Sequence, residues 1–233
     1  MVEIKMDGPG KNALGSEMMA SVLEQLEQAA GQPVLLTGTG DAFSAGLHLR
    51  EVASLEAEGM YAFLKRLEGF YRSVFTYPGP IVAAVNGHAI AGGCVLTMVC
   101  DQRIATTNPR TRMGLNEVNL GLRFSPVLRR LLQHLIDPCH ISEAILGAGL
   151  HDTQNSLRLG FIDELSDDPY RTAQERLTAL ARHPLEAYRD SKMDLRAGVM
   201  DDAPEDEAFF NECVVPFWTS DDLKNRIQAV LSR

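Results

Sequence analysis

The chain has 233 residues, 45 % apolar and 23 % charged, and its 22 Lys and Arg against 31 Asp and Glu give a net charge of −9. That length carries one sizeable domain, or a domain with a helical appendage, without disulfide or metal staples, and the charge argues against a nucleic-acid backbone as partner. The longest apolar stretch, Ile81 to Cys100, is interrupted by Asn86, His88, several glycines and Thr97, so no membrane span is expected.

The opening Met-Val-Glu-Ile-Lys lacks the basic and apolar regions of a secretory signal, which makes a cytoplasmic location the expectation. Val2 to Met6 alternates weakly like a short strand and stops at Gly8-Pro9-Gly10. Met18, Val22, Leu26 and Ala30 recur at helical spacing, with Ser16 as cap and Gly31 as stop. Pro33 to Thr37 reads as a buried strand that runs into a loop of small residues, Gly38 to Gly46, and residues 52–76 read as one helix. Ile81 to Val85 is β-branched and short enough for a strand buried on both faces. The turn Asn86-Gly87, a buried helix from Cys94 to Val99 and a strand from Gln102 to Thr106 complete a βαβ pattern.

Beyond that, helices are predicted near 125–136, 142–147, 153–159, 169–182, 184–197, 205–215 and 221–232, with Gly160 ending one of them. Strand-like segments cease near 180–184, where Pro184 interrupts the helices, so a core of residues 1–182 and a helical region of 183–233 are expected. Four cysteines, Cys94, Cys100, Cys139 and Cys213, have no Cys-x-x-Cys spacing and are read as free thiols, with no metal expected.

Two glycine loops, each directly after a strand, carry the most chemical information: Phe43-Ser-Ala-Gly-Leu47 and Asn86-Gly-His-Ala-Ile-Ala-Gly-Gly93. Neither has the spacing of a nucleotide-binding loop. Glycines between a strand and a helix leave backbone N–H groups free to stabilise an oxyanion, although one such loop alone is more often a matter of close packing; two together tilt the balance. The third element is Glu117 in Met113-Gly-Leu-Asn-Glu-Val-Asn-Leu-Gly121, a lone carboxylate among apolar residues. Desolvation there would raise its pKa and strengthen it as a base; a helix cap or an arginine partner is the plainer alternative.

Taken in order, Phe43-Ser-Ala-Gly-Leu-His-Leu49, Ile81-Val-Ala-Ala-Val-Asn-Gly87 with Ala91-Gly-Gly-Cys94, Cys100-Asp-Gln-Arg-Ile-Ala105 and Gly114-Leu-Asn-Glu-Val-Asn-Leu-Gly121 resemble the signature blocks of the crotonase (enoyl-CoA hydratase/isomerase) family. Asn12-Ala-Leu14, Leu159-Gly-Phe-Ile-Asp163 and Phe210 to Arg233 resemble its flanking blocks, so the likeness covers nearly the whole chain. The opening is shorter than the family's usual one, as if a first strand or hairpin were missing.

The resemblance implies an α/β fold, a spiral of ββα units with a C-terminal helical trimerisation region, and an acyl-CoA thioester as substrate. Coenzyme A then arrives as part of the substrate and no separate cofactor is expected; the expected assembly is a homotrimer or a dimer of trimers. By the same likeness Leu47 and Gly92 supply the two oxyanion N–H groups, the Ala45 carbonyl contacts the adenine, and Glu117 is the catalytic carboxylate. Gly46, His48, Gly93, Val95 and Asn116 fall at substrate-contacting positions. Hydratases of the family usually carry a second glutamate where this chain has Val95, and Asn116-Glu117 resembles the single-glutamate pattern of the 3-enoyl to 2-enoyl-CoA isomerases. Shifting a double bond needs one base that takes a proton from carbon 2 and returns it to carbon 4, whereas adding water needs a further group to position it. The isomerase is therefore the leading expectation; a hydratase, hydrolase or decarboxylase and a non-catalytic acyl-CoA binder stay open.

His48 and His88 are read first as packing or hydrogen-bonding residues. Met60, Leu64, Leu67 and Tyr71 form a helix stripe that is either core or acyl-pocket wall. Arg50, Lys65, Arg66 and Lys192 are candidates for the coenzyme phosphates, each with surface solvation as the alternative.

Overall fold

Strand β1 (Val2–Met6) is followed by one tight turn, α1 (Pro9–Asn12), and by α2 (Ser16–Ala29). The computed structural model describes residues 1–232. Helix α2 buries Met19, Val22, Leu26 and Ala29, a stripe set partly one residue off the expected Met18 and Ala30. Ser16 is its first helical residue and not its cap; Gly15 occupies the cap, and the Ser16 hydroxyl bonds the Glu51 carboxylate. The chain leaves the helix through left-handed Ala30 and Gly31, so the predicted stop holds.

A strand–strand–helix unit then repeats. β2 (Val34–Gly38) leads to β3 (Ala42–Ser44) and then to α3 (Leu49–Ser54) and α4 (Ala57–Phe75). β4 (Ile81–Val85) leads to β5 (His88–Ile90) and α5 (Gly92–Met98). β6 (Gln102–Thr106) leads to β7 (Met113–Gly114) and α6 (Glu117–Leu120). The predicted helix over 52–76 is thus two, broken at Leu55 and Glu56. The remainder comprises α7 (Pro126–Leu135), a π-helical turn over Ser142–Leu146, α8 (Thr153–Arg158), β8 (Glu164–Ser166), α9 (Pro169–Leu180) and α10 (Leu185–Arg196). α11 (Pro204–Phe209), a second π-helical turn, α12 (Val215–Trp218) and α13 (Asp221–Leu231) end it.

The first strands of the units build a five-stranded parallel sheet in the order β1-β2-β4-β6-β8; the second strands build a three-stranded parallel sheet in the order β3-β5-β7. Alternation along a strand sends successive side chains to opposite faces. On one face of the larger sheet Leu35, Val82, Ala84 and Ile104 meet Ala173 and Leu177 of α9. On the other, Ile4, Leu36, Ala83, Val85 and Ala105 join the main core with α2, α4 and α5. Both faces are covered, which is why β2 and β4 are buried at every residue.

Helix α10 is held by charge. Asp101 accepts from Ile81 N at 2.8 Å and pairs with Lys192 and Arg196, each at 2.8 Å. Lys192 is buried and also donates to Gly79 O, so the expectation that it reaches a coenzyme phosphate is corrected. Burial pulls its ammonium down to about 8 against the upward pull of Asp101. Among the described residues no helix is long and apolar enough to cross a membrane.

Candidate active site

The three strands of the small sheet are parallel neighbours, so the segments that follow them are delivered to one place. After β3 come Ala45, Gly46 and Leu47; after β5, Ala91 and Gly92; after β7, Asn116 and Glu117. The Ala91 N–H donates to Gly114 O at 2.7 Å and extends the β5–β7 pairing to the edge of the site.

The first two segments touch. A Cβ on Gly46, whose φ is +92°, would lie 2.7 Å from Ile90 O and 3.4 Å from Gly92 N. Only glycine fits that approach. Leu14 N donates to Gly46 O and His48 N donates to Leu14 O, an arrangement that leaves the Leu47 N–H between them without an acceptor among the described residues. Gly92 begins α5, where helical geometry offers its N–H no partner, and none is found elsewhere among the described residues. Ala91 before it holds φ +50° and ψ −120°, a region costing a non-glycine residue about 1–3 kcal/mol. Strain at this point turns the chain from β5 into α5. Two free N–H groups on adjoining loops are the arrangement that stabilises a developing oxyanion.

Glu117 begins α6 and is 7 % exposed. Burial pushes its carboxyl up to about 7, eased only by its own main-chain N–H; no charged side chain shifts it, and Oε2 has no hydrogen-bond partner among the described residues. The cap and arginine-partner alternatives are therefore not what the carboxyl does. The adjacent Asn116 Oδ1 is likewise buried and unpartnered. Tyr71 of α4 ties the carboxylate region to the second loop: its hydroxyl donates to Gly92 O at 2.9 Å, and burial followed by the Glu117 charge raises its pKa.

These groups open on a cavity of about 730 Å³, whose wall includes Ala45, Leu47, His48, Gly92, Val95, Asn116 and Glu117. Val95 presents a buried apolar side chain to the same space. Gly46 and Gly93 do not face it. Gly93 serves packing, since a Cβ there would meet Ser44 O at 2.3 Å. His48 caps α3, its Nδ1 accepting from Glu51 N at 3.2 Å, and His88 Nδ1 accepts from Arg112 N at 3.1 Å, the hydrogen-bonding roles expected first. Arg50 lines the cavity, whereas Lys65 is drawn to Glu68 and Glu207. Leu64, Leu67 and Tyr71 are wall residues; Met60 is core. Among the described residues no cluster of three or more His, Cys, Asp or Glu is placed to hold a metal ion.

Two parts of the wall escaped the sequence reading. Glu68 lies on the buried face of α4, four residues after Leu64 and three before Tyr71, so the helical spacing of the stripe already pointed to it. Val214, Trp218, Val230 and Leu231 reach the cavity from the C-terminal helices, with the Trp218 Nε1–H donating to Arg123 O at 2.9 Å. No local pattern shows that contact, because its partners lie 95 residues apart.

The profile of the enoyl-CoA hydratase/isomerase family matches residues 1–231. The probable enoyl-CoA hydratase EchA14 of Mycobacterium tuberculosis is 30 % identical over 195 residues, 82 % of this chain and 75 % of that protein. Human mitochondrial enoyl-CoA delta isomerase 1 is 27 % identical over 167 residues, 70 % of this chain and 55 % of that one. The crystal structure of human mitochondrial delta3-delta2-enoyl-CoA isomerase superposes with a TM-score of 0.91 at 25 % identity, covering 99 % of this chain and 92 % of that one. Three short parallel strands that set two free amides beside a desolvated glutamate, carried on a sequence matched from end to end, leave one assignment: the chain belongs to the enoyl-CoA hydratase/isomerase family.

Proposed function

We propose that the protein is an enoyl-CoA isomerase that moves the double bond of a 3-enoyl-CoA to the 2-trans position. The Leu47 and Gly92 N–H groups receive the thioester oxygen and bond it more strongly as negative charge develops there. The neighbouring carbon thereby becomes acidic; loss of one such donor typically costs about 3–4 kcal/mol of transition-state stabilisation. Glu117 takes the proton from carbon 2 and returns it to carbon 4.

The observation that carries this reading is a carboxyl held near 7 by burial, alone at the amide pair, with apolar Val95 beside it in place of a second carboxylate. Such a group is basic enough to accept a carbon-bound proton and acidic enough to give it back. A hydrated second acid is what water addition would require, and Val95 offers none.

The reaction would use no cofactor beyond the coenzyme A of the substrate. A cytoplasmic homotrimer, or dimer of trimers, belongs to the same proposal, and α10 leaves Leu185, Met193 and Leu195 exposed.

Purified protein incubated with 3-enoyl-CoA is expected to yield 2-trans-enoyl-CoA, and Glu117→Gln to lower kcat at least about 100-fold. Product formed only from 2-enoyl-CoA by water addition would replace the isomerase with a hydratase. Tight acyl-CoA binding with no turnover across an acyl panel would make the protein a binder.

A further inference from the structure

Glu68 is a buried carboxyl that the proposed chemistry does not use. It is 4 % exposed and lines the same cavity as Glu117. Its Oε1 is buried without a hydrogen-bond partner among the described residues. Its Oε2 stands 3.6 Å from Lys65 Nζ, too long for a hydrogen bond, while Lys65 lies nearer Glu207 at 3.3 Å. Burial raises its carboxyl pKa, partly offset by the Ser125 hydroxyl and Lys65. The cavity that Glu68 lines also has Leu64, Leu67, Leu128, Val214 and Trp218 in its wall, with Ser125 and Arg123 as polar members. A plain hydrocarbon tail would leave Oε1 unpaired, and an unpaired buried acceptor is costly.

The position along α4 says which part of a ligand would meet it. Tyr71 is bonded to Gly92 O beside the amide pair, and Glu68 stands three residues earlier on the same face, about 4.5 Å along the helix axis. No charge on Glu68 acts on Glu117, so the two carboxyls stand apart in the cavity, and Glu68 with its Ser125 partner is assigned to the acyl side of the proposed reacting carbons.

We infer that the acyl end of the cavity is built for a chain carrying a hydroxyl group, which donates its hydrogen bond to Glu68 with the Ser125 hydroxyl beside it. This rests on the acyl-CoA reading above and narrows it to hydroxylated acyl thioesters. Lys65 keeps Glu207 as a partner when Glu68 is removed, so substitution at Glu68 strands no lysine.

Calorimetric titration with saturated acyl-CoA thioesters, matched in length with and without a terminal hydroxyl, tests this without relying on turnover. At the matching length the wild-type protein is expected to bind the hydroxylated chain about tenfold more tightly than the plain one. Glu68→Gln should keep part of that preference, since its amide oxygen still accepts, and Glu68→Leu should reverse it by favouring the plain chain. Thermal unfolding checks that both variants are folded, and the wild-type comparison is decisive in either case. Plain chains bound as well as hydroxylated ones at every length, or a preference that survives in Glu68→Leu, would overturn the role of Glu68 and leave the acyl-CoA reading standing. Failure of every thioester to bind would remove both.

Discussion

The burial that holds the Glu117 carboxyl near 7 acts on catalysis and on stability in opposite directions. As a base it must be ionised, so kcat/KM should rise through a single inflection near pH 7 to a plateau above it; a profile flat down to the ordinary carboxylate range would reject Glu117 as the base. For stability, the folded pKa lies above the value of 4.5 for an unperturbed group. Below about 4.5 both states carry the proton and nothing is lost. As pH climbs, the unfolded chain releases its proton first and the native state is progressively disfavoured, until the loss levels off above about 7 at roughly 3 kcal/mol. Glu117→Gln should therefore stabilise the protein by about 3 kcal/mol at about pH 8 and by almost nothing at about pH 4, as urea unfolding at the two pH values would show. An equal gain at both would mean that packing, not desolvated charge, sets the cost of this residue.

At the scale of elements, what the sequence revealed and what it hid follow from length and distance. The long buried strands and the two glycine loops were legible because β-branched runs and clustered glycines are local signals, and the loops pointed to the amide pair for a physical reason. β5 and β7 have three residues and two, too few for alternation to register, yet they bring the three site segments together. The break at Leu55 and Glu56 was hidden because Val52 and Met60 on either side are buried in the same core, so the apolar period runs across it. Lys192 resembled a surface lysine because its partners Asp101 and Gly79 lie 91 and 113 residues away. That clamp makes a prediction. Asp101→Asn would leave the buried Lys192, and the partly buried Arg196 beside it, without their counter-charge and should cost about 3–5 kcal/mol in urea unfolding. Adding Lys192→Met to Asp101→Asn should recover part of that loss; an unchanged midpoint for the single variant would show that α10 is held by packing alone.

For the molecule as a whole, the C-terminal helices are part of the site. Phe210, Val214, Trp218, Leu223 and Ile227 belong to the same core as β1, β2 and β4, while Phe217 stays 45 % exposed. The C-terminal region, expected from the resemblance to serve assembly, also packs inward, and Val214 and Trp218 form part of the cavity wall. Trp218 is the single tryptophan of the chain and is 7 % exposed, with its ring on the cavity wall and its N–H fixed to Arg123 O. Its fluorescence therefore reports on this part of the cavity wall, where the proposed function puts the acyl tail. Titration with acyl-CoA should change its emission, and the change should grow with chain length until the tail reaches the ring, whereas coenzyme A alone should leave it almost unchanged. Trp218→Ala should cost about 3–5 kcal/mol of stability, and, with the acyl tail placed against this wall as proposed, it should raise KM more for long chains than for short ones. Emission that stays constant while calorimetry shows a long-chain thioester bound would place the tail elsewhere, and would separate the C-terminal helices from substrate selection.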